Sequence, residues 1–241
     1  MIQTIFQYKR SLAAGLALLL VSVSGCGTGE YERRLSSATQ KLKQNSAFAD
    51  MKPSAPLTGV SVKIPNSFQS QPLTEATQVD GQPIDPRRVQ PPVVQMSGLQ
   101  WTYEEQVEDD SGGKLSYYCY LATIDVASQG NIDPMDLVRR QAQTKYPKTT
   151  SAVESVQCPT PQGQTVEWKR LRCSGDQEFY YVDPNGNADF RPMLGAMEFY
   201  GRKEGDTIIL IGWRVPMVED GKAYVDIQAW TERVAGSVTA P

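Results

Sequence analysis

Residues 115–126 read Leu115-Ser116-Tyr117-Tyr118-Cys119-Tyr120-Leu121-Ala122-Thr123-Ile124-Asp125-Val126, and this stretch decides the fold. Its aromatic and branched side chains favour a strand. From Ser116 to Ala122 apolar or aromatic residues occupy both of the faces that a strand would present. A strand that is apolar on both faces lies inside a sheet that is covered above and below. The stretch therefore predicts the central strand of a layered domain.

Further strands and two helices surround this strand in the sequence. Strands are predicted over residues 60–65, 99–107, 152–157, 165–173, 178–182, 197–202 and 207–215. Turn residues such as Asp183-Pro184-Asn185-Gly186 separate most of them, which favours antiparallel hairpins. Helices are predicted from about Asn131 to the residue before Pro147, and from about Lys222 to Val234. The fold class is therefore α+β, an antiparallel β-sheet with helices packed on it.

The order of these elements resembles that of PsbP-like α/β/α sandwiches. The likeness covers residues 60–238, from the strand at 60–65 and the helix opening near Ile132-Asp133-Pro134 to the strand Ile209-Leu210-Ile211 and a closing helix that ends at Ala235-Gly236-Ser237-Val238. It is a likeness of topology and contains no diagnostic motif. The resemblance implies a sheet between two helical layers.

The N-terminus has the pattern of an export signal. Lys9 and Arg10 precede an uncharged, leucine-rich run over residues 11–24. A positive segment followed by an apolar run of this length is typical of a signal peptide, whereas a membrane-spanning helix needs about 20 apolar residues. We predict a signal peptide over residues 1–25.

The run ends at Val23-Ser24-Gly25-Cys26, which resembles the bacterial lipobox at all four positions. The resemblance implies cleavage between Gly25 and Cys26 and acylation of the Cys26 thiol, so that lipid holds the protein on a membrane. The alternative is that Cys26 merely ends an ordinary signal peptide. Gly27 follows, not the Asp that retains similar lipoproteins of enteric bacteria at the inner membrane. The periplasmic side of the outer membrane is therefore the expected location.

A second resemblance involves the whole chain. The predicted lipidated cysteine is followed by Tyr31-Glu32-Arg33-Arg34, Pro91-Pro92, Gly98-Leu99 and Tyr103-Glu104. In this combination the chain is similar to small lipoproteins of unknown function from planctomycete bacteria. That resemblance implies no catalytic residue.

The predicted mature chain has two parts. Residues 26–59 comprise the lipidated N-terminus, an amphipathic helix and a linker; the helix is indicated by the spacing of Tyr31, Leu35, Ala38 and Leu42. We interpret the helix as a spacer above the lipid or as a helix that packs on its own domain. A coiled coil is less favoured, because it would need at least three heptads. Residues 60–241 form the α+β domain, with a long polar loop at 66–92.

Charge excludes one class of partner. The chain has 24 Lys and Arg against 27 Asp and Glu, and removal of residues 1–25 takes away Lys9 and Arg10 and no acid, leaving 22 basic residues. The basic residues are scattered and form no stripe, so no nucleic-acid partner is predicted.

Three cysteines remain besides Cys26: Cys119, Cys158 and Cys173. Export would place them where disulfides form. We predict a disulfide between Cys158 and Cys173, across the turn that contains Pro159 and Gly163. The alternative is that all three are buried free thiols, as unpaired cysteines often are.

The chain contains no histidine, which excludes Ser-His-Asp, Cys-His and His-metal mechanisms.

The segment Asp109-Asp110-Ser111-Gly112-Gly113-Lys114 lacks the spacing of a phosphate loop and is interpreted as a hairpin turn. Asp183, Asn185, Asn187 and Asp189 alternate as in a calcium loop, but Ala188 and Leu194 stand where glycine and glutamate are required, which favours a turn. Paired acids such as Glu104 and Glu105 would face opposite sides of a strand and are interpreted as solvated edges. No catalytic residue, metal or cofactor is predicted.

The leading hypothesis is therefore a non-catalytic, lipid-anchored module that contacts an envelope protein. The alternative is a module that binds a glycan or another small molecule. Its groove would be lined by aromatic residues of the sheet, although aromatic residues at strand spacing usually build a core. The aromatic set is Trp101, Tyr103, Tyr117, Tyr118, Tyr120, Tyr180, Tyr181 and Trp213.

Overall fold

The computed structural model describes residues 28–71, 78–79, 82–83, 92–129, 133–218 and 222–239. The chain divides into two compact units, Met1–Ala47 and Phe48–Pro241. The predicted signal peptide, with Gly25 and Cys26, lies outside the described residues. The described part of the first unit is the helix α1 (Thr28–Ala47), which confirms the predicted amphipathic helix. Within the described ranges, no helix combines the length and the apolar character that a bilayer crossing requires.

The second unit is an α+β domain. Its elements in chain order are β1 (Met51–Pro53), β2 (Lys63–Pro65), β3 (Gln69–Gln71), β4 (Gln78–Val79), β5 (Gln82–Pro83), β6 (Leu99–Glu108), β7 (Lys114–Asp125), α2 (Val126–Gln129), α3 (Asp136–Lys145), β8 (Glu154–Pro159), β9 (Thr165–Val182), β10 (Ala188–Glu204), β11 (Thr207–Pro216) and α4 (Ile227–Gly236). Strands β1 and β2 pair with each other, as do β4 and β5.

Seven strands form one antiparallel sheet in the order β3-β6-β7-β11-β10-β9-β8. The central position of β7 is confirmed, since it lies between β6 and β11. The β9–β10 hairpin extends past the end of β11 and curls, so that β9 also pairs with the start of β7 through Lys114↔Val182 and Leu115↔Tyr181. At that end four strands close on themselves like a small barrel.

The sheet separates two hydrophobic cores, because alternate residues of a strand point to opposite faces. Cys119 and Leu121 of β7 belong to the core that includes Ile227 and Val234 of α4. Tyr118 and Tyr120 belong to the core that includes Val138 of α3. The domain therefore has a helix on each face of one antiparallel sheet, and the predicted α+β class is confirmed.

The domain begins earlier than predicted. Residues 51–59 were expected to be a linker, but β1 pairs with β2 and Met51 is buried. The expected loop at 66–92 also contributes to the core: Phe68 is fully buried, with its ring centroid 5.8 Å from that of Trp213. The polar composition around Phe68 conceals this contribution. Much of the remainder of that loop lies outside the described residues.

Two predicted strands are in fact one. Residues 165–173 and 178–182 were expected as separate strands, but β9 continues through Gly175, which is paired with Gly195 of β10. A Cβ at Gly175 would lie 2.1 Å from Cε1 of Tyr146, and a Cβ at Gly195 would lie 2.6 Å from Nε2 of Gln177. These glycines therefore do not break the strands; they make room for side chains that pack over them.

The helices end and begin for local reasons. Helix α3 ends at Lys145, before Pro147 as predicted, but it begins at Asp136, after Pro134 and later than expected; Asn131 itself falls outside the described residues. Helix α4 begins at Ile227, later than expected, because the side chain of Asp226 caps it by accepting a hydrogen bond from the Ala229 N–H at 3.0 Å.

Candidate functional site

The most polar part of the protein interior is a row that crosses the sheet on the side of α3. The register places Glu104 of β6 beside Tyr118 of β7, and Tyr118 beside Arg214 of β11. Side chains at paired positions share a face, so these three lie on one face of the sheet. Glu104 is 2% exposed and Arg214 is 5% exposed. Buried charges of this kind are costly unless they have partners.

Neighbouring polar side chains bind the carboxylate of Glu104. Ser116 Oγ donates to Oε1 at 2.5 Å, and Gln71 Nε2 donates to Oε2 at 2.5 Å. The sequence interpretation of Glu104 as a solvated edge is therefore wrong, because β3 and its Gln71 cover this position. Glu105 does point to the opposite face, as expected, where it accepts a hydrogen bond from the hydroxyl of Tyr117.

The guanidinium of Arg214 ties the curled hairpin to the sheet. Its Nε donates to Oε1 of Gln177 at 2.9 Å, and Nη2 donates to the carbonyl oxygen of Glu178 at 2.5 Å. Nε2 of Gln177 donates in turn to the Gly195 carbonyl at 3.1 Å. The guanidinium carbon also lies 5.0 Å from the ring centroid of Phe179. Strand β10 lies between β11 and β9. Arg214 thus connects β11 directly with the part of β9 that extends past the end of β11.

Tyr118 lies between the two charged residues. Its side chain is fully buried, and its hydroxyl has no hydrogen-bond partner among the described residues. Burial and the nearby negative charge of Glu104 raise the pKa of this hydroxyl. Burial also raises the pKa of Tyr120 to about 12, although Arg214 opposes that shift. Both hydroxyls stay protonated near neutral pH. The row therefore offers charged groups and hydrogen-bond donors, but neither tyrosine has the pKa near the working pH that a general base requires.

The predicted disulfide between Cys158 and Cys173 is wrong in this structure: Cys119, Cys158 and Cys173 are all free and buried. Cys158 of β8 pairs with Val166 of β9, and Cys173 lies seven residues further along β9. Seven residues of strand span about 23 Å, whereas a disulfide needs Cα atoms within about 7 Å. The odd offset also places the two thiols in different cores.

Burial makes these thiols weak nucleophiles. It raises the pKa of Cys158 and of Cys173 to about 12, and raises that of Cys119 as well. A thiol reacts as its thiolate, so each remains in the less reactive form near neutral pH. The alternative of three buried free cysteines is the one that the structure supports.

A pocket of about 210 Å³ lies between α4 and the outer strands β8 to β10. Its polar lining includes Arg170 and Tyr200 from the sheet and Gln228 and Glu232 from α4. Nη2 of Arg170 donates to Oε2 of Glu154 at 2.7 Å, while its Nε has no hydrogen-bond partner among the described residues. A guanidinium and a carboxylate in one small pocket can bind a small polar molecule.

The two segments that were compared with phosphate and calcium loops are turns, as predicted. Asp109 Oδ1 accepts hydrogen bonds from the backbone N–H groups of Ser111 and Gly113, at 3.0 and 2.8 Å. Asp183 Oδ1 accepts from the backbone N–H groups of Asn185 and Asn187, at 2.9 and 2.7 Å. In each turn, the carboxylate oxygen Oδ1 therefore stabilises the turn by binding backbone N–H groups of that same turn.

The aromatic set builds the interior instead of an open groove, which confirms the favoured interpretation. Buried members of the set are Tyr103, Tyr117, Tyr118, Tyr120, Tyr180, Tyr181 and Trp213. Trp101 is partly buried and donates from Nε1 to the carbonyl oxygen of Pro56 at 2.8 Å. A glycan groove lined by these rings is not present in the described part of the chain.

Sequence reasoning missed the polar row. In the sequence, Glu104 stands beside Glu105 as half of an acidic pair, and no neighbouring residue identifies Arg214 or Gln177 as members of a buried row. The signal was the arginine within an otherwise apolar strand, Ile208-Ile209-Leu210-Ile211-Gly212-Trp213-Arg214-Val215. An arginine at such a position needs buried partners, but the partners come from strands that are distant in sequence.

Comparisons with known proteins add little to these observations. No protein-family model matches the chain, and no curated protein matches it. Among solved structures, the chain is similar to a protein from Bacteroides thetaiotaomicron VPI-5482, with 14% identity over 58% of this chain and a TM-score of 0.27. The match spans 45% of that protein, so less than half of its length is covered. The PsbP-like and planctomycete resemblances stay predictions.

Proposed function

We propose that this protein is a lipid-tethered protein of the bacterial cell envelope that acts by noncovalent contact with a protein partner. The observation that carries the proposal is the position of Cys26. It ends the lipobox-like sequence Val23-Ser24-Gly25-Cys26 directly after the apolar run, and helix α1 begins two residues later at Thr28. A tether, a short exposed helix and a compact domain then follow in that order.

The chemistry of the side chains supports contact over catalysis. The sequence has no histidine, and the three thiols of the domain are buried with raised pKa values. The buried carboxylate of Glu104 accepts hydrogen bonds from Ser116 and Gln71. These groups hold the fold together, so we assign the activity to the surface of the protein.

The tether is tested by replacing Cys26 in the full chain. We expect Cys26→Ser to remain uncleaved and to carry no acyl chains, which intact-mass measurement detects directly. The matched control Cys158→Ala changes a buried thiol and should leave the acylated mass unchanged. An unmodified N-terminus in the parent protein would overturn the tether.

The proposed location is the periplasmic side of the outer membrane, because Gly27 follows the acylated cysteine. We expect the protein to sediment with outer-membrane fractions, and Gly27→Asp to shift it toward the inner-membrane fractions. Equal distribution of the two proteins would contradict this assignment.

The mode of action is tested by affinity purification of the full chain from detergent-solubilised membranes. We expect one envelope protein to be recovered in a stoichiometric amount. Turnover of a substrate by the purified protein would overturn the contact role.

The pocket beside α4 favours one second candidate, the binding of a small polar molecule or glycan. Arg170 and Glu232 offer opposite charges in a space of about 210 Å³. A glycan-array signal that is lost in Arg170→Met and kept in Arg172→Met, the neighbouring exposed arginine, would support this candidate. Equal signals from both variants would contradict it.

A further inference from the structure

Helix α1 exposes an apolar stripe. Tyr31 is 67% exposed, Leu35 is 54% exposed and Leu42 is 70% exposed. Of the four large hydrophobic side chains that are exposed among the described residues, these are three; the fourth is Leu194 of β10. At about 100° per residue, Leu35 and Leu42 lie within about 40° of Tyr31 around the helix axis. The three side chains therefore lie on one face of the helix, and an apolar surface is suited to cover it.

The position of the stripe indicates which surface covers it. Thr28 is two residues from Cys26, and two residues of extended chain span at most about 7 Å. If Cys26 carries acyl chains, as proposed above, the start of α1 is held at the membrane surface. Tyr31, the first residue of the stripe, is in the first turn of the helix.

The charge of the helix suits the same surface. Its sequence contains four basic residues, Arg33, Arg34, Lys41 and Lys43, against the two acids Glu30 and Glu32. Arg33 and Arg34 are exposed, and Nε of Arg34 lies 3.1 Å from Oε1 of Glu30. A helix with an apolar face and a net positive charge is suited to the interface of a bilayer that contains anionic lipids.

We propose that α1 lies along the membrane surface, with Tyr31, Leu35 and Leu42 inserted between the lipid headgroups. This inference rests on the proposed acylation of Cys26. A second copy of the chain is a poorer occupant, because the apolar positions Tyr31, Leu35, Ala38 and Leu42 cover less than two heptads and the next seam position is Asn45. Stable coiled coils need three or more heptads.

The consequence is an orientation for the protein. A helix of 20 residues is about 30 Å long. If it stood upright, it would lift the following chain by that length; lying flat, it keeps residue 48 near the bilayer.

The experiment uses the acylated full chain, reconstituted in vesicles of phosphatidylethanolamine and phosphatidylglycerol. A maleimide spin label is placed on Leu35→Cys in the stripe or on Ser37→Cys, which is exposed and about 160° from Leu35 around the helix axis. The native thiols of the domain are buried and should remain unlabelled. Accessibility to oxygen, which concentrates in lipid, is compared with accessibility to a water-soluble nickel chelate.

We expect the ratio of oxygen to nickel accessibility to be severalfold higher at position 35 than at position 37. Equal ratios at the two positions would overturn the proposal. Dipolar broadening between labels at position 35 would also overturn it, in favour of pairing between two copies. An intact mass without acyl chains would refute the tether itself. Because the Cys26 thiol would then also take the label, positions 35 and 37 would be compared in a Cys26→Ser chain to report whether the helix enters the vesicle surface.

Discussion

Arg191 of the β9–β10 hairpin donates a hydrogen bond from Nη1 to Oδ2 of Asp109, in the turn between β6 and β7, at 3.1 Å. The Asp109 side chain is only 6% exposed, and the guanidinium carbon of Arg191 lies 3.5 Å from the ring centroid of Tyr181. Two hairpins that are distant in sequence are therefore joined where β9 returns to pair with β7. This ion pair closes the barrel-like end of the sheet.

Acid should release this junction. Burial raises the pKa of Asp109, but hydrogen bonds from Ser111 and Gly113 and the charge of Arg191 outweigh it, so the pKa lies below the ordinary value of 3.8. A carboxyl whose pKa is lowered by folding stabilises the protein above its unfolded pKa, and this stability is lost as the pH falls through the folded pKa. Asp109→Asn should therefore destabilise the domain at pH 7 and have little effect near pH 2.

The measurement is the free energy of unfolding in urea at a series of pH values. The difference between the parent protein and Asp109→Asn should shrink below about pH 5. Asp110→Asn changes the next acid in the same turn and is measured as the matched control. A difference that is independent of pH would contradict the assignment.

Removal of the buried Arg214 side chain should be costly. Arg214→Met leaves the Gln177 amide oxygen and the Glu178 carbonyl without this donor, and we expect the free energy of unfolding to fall by about 3 kcal/mol. Tryptophan fluorescence during urea unfolding measures the change. Arg172→Met removes an arginine from an exposed ion pair with Glu154 and should cost about 0.5 kcal/mol or less. Equal losses in the two variants would contradict a special role for Arg214.

A methyl group at Gly236 should disturb the packing of α4 on the sheet. A Cβ at this position would lie 1.8 Å from the carbonyl oxygen of Pro159, which is backbone and cannot move aside alone. We expect Gly236→Ala to reduce the free energy of unfolding by about 3 kcal/mol. Gly186→Ala is the control: its φ is +87° with open space around it, so only about 1 kcal/mol of backbone strain is expected. A smaller loss for Gly236→Ala than for the control would show that α4 is not packed as described.

The thiols of the domain should be unreactive in the folded protein. We expect maleimide to leave Cys119, Cys158 and Cys173 unmodified at neutral pH and to modify all three in denaturant, because burial removes access and raises their pKa values. Peptide mapping without reductant is the check. A linked pair of Cys158 and Cys173 peptides would contradict the free thiols.

Several elements could be predicted because their signals are local. The apolar residues on both faces of β7 indicate a central strand without reference to any partner, and Asp183-Pro184-Asn185-Gly186 specifies a turn through its own backbone preferences. Pro147 disfavours helical backbone at the residue before it, so the end of α3 has a local cause. These predictions agree with the structure.

Other features depend on partners far along the chain. Phe68 stands in a polar stretch, and only the pairing of β3 with β6 and the contact with Trp213 show that it belongs to the core. In the sequence, Gly175 indicates a break in β9. In the structure the strand continues, and the glycine leaves room for the ring of Tyr146 to pack over it. Cys158 and Cys173 are close in sequence, but the register of β8 and β9 places them on opposite sides of the sheet.

The amino-acid sequence alone determined the α+β class, the central strand and the hairpin turns, because side-chain alternation and turn chemistry act over a few neighbouring residues. Only the tertiary structure decided that Glu104 and Arg214 are buried around Tyr118, that the thiols are free, and that Tyr31, Leu35 and Leu42 remain exposed. Burial and partnership depend on which strands lie side by side, and strand register pairs residues as far apart as Tyr118 and Arg214, which are separated by 96 positions.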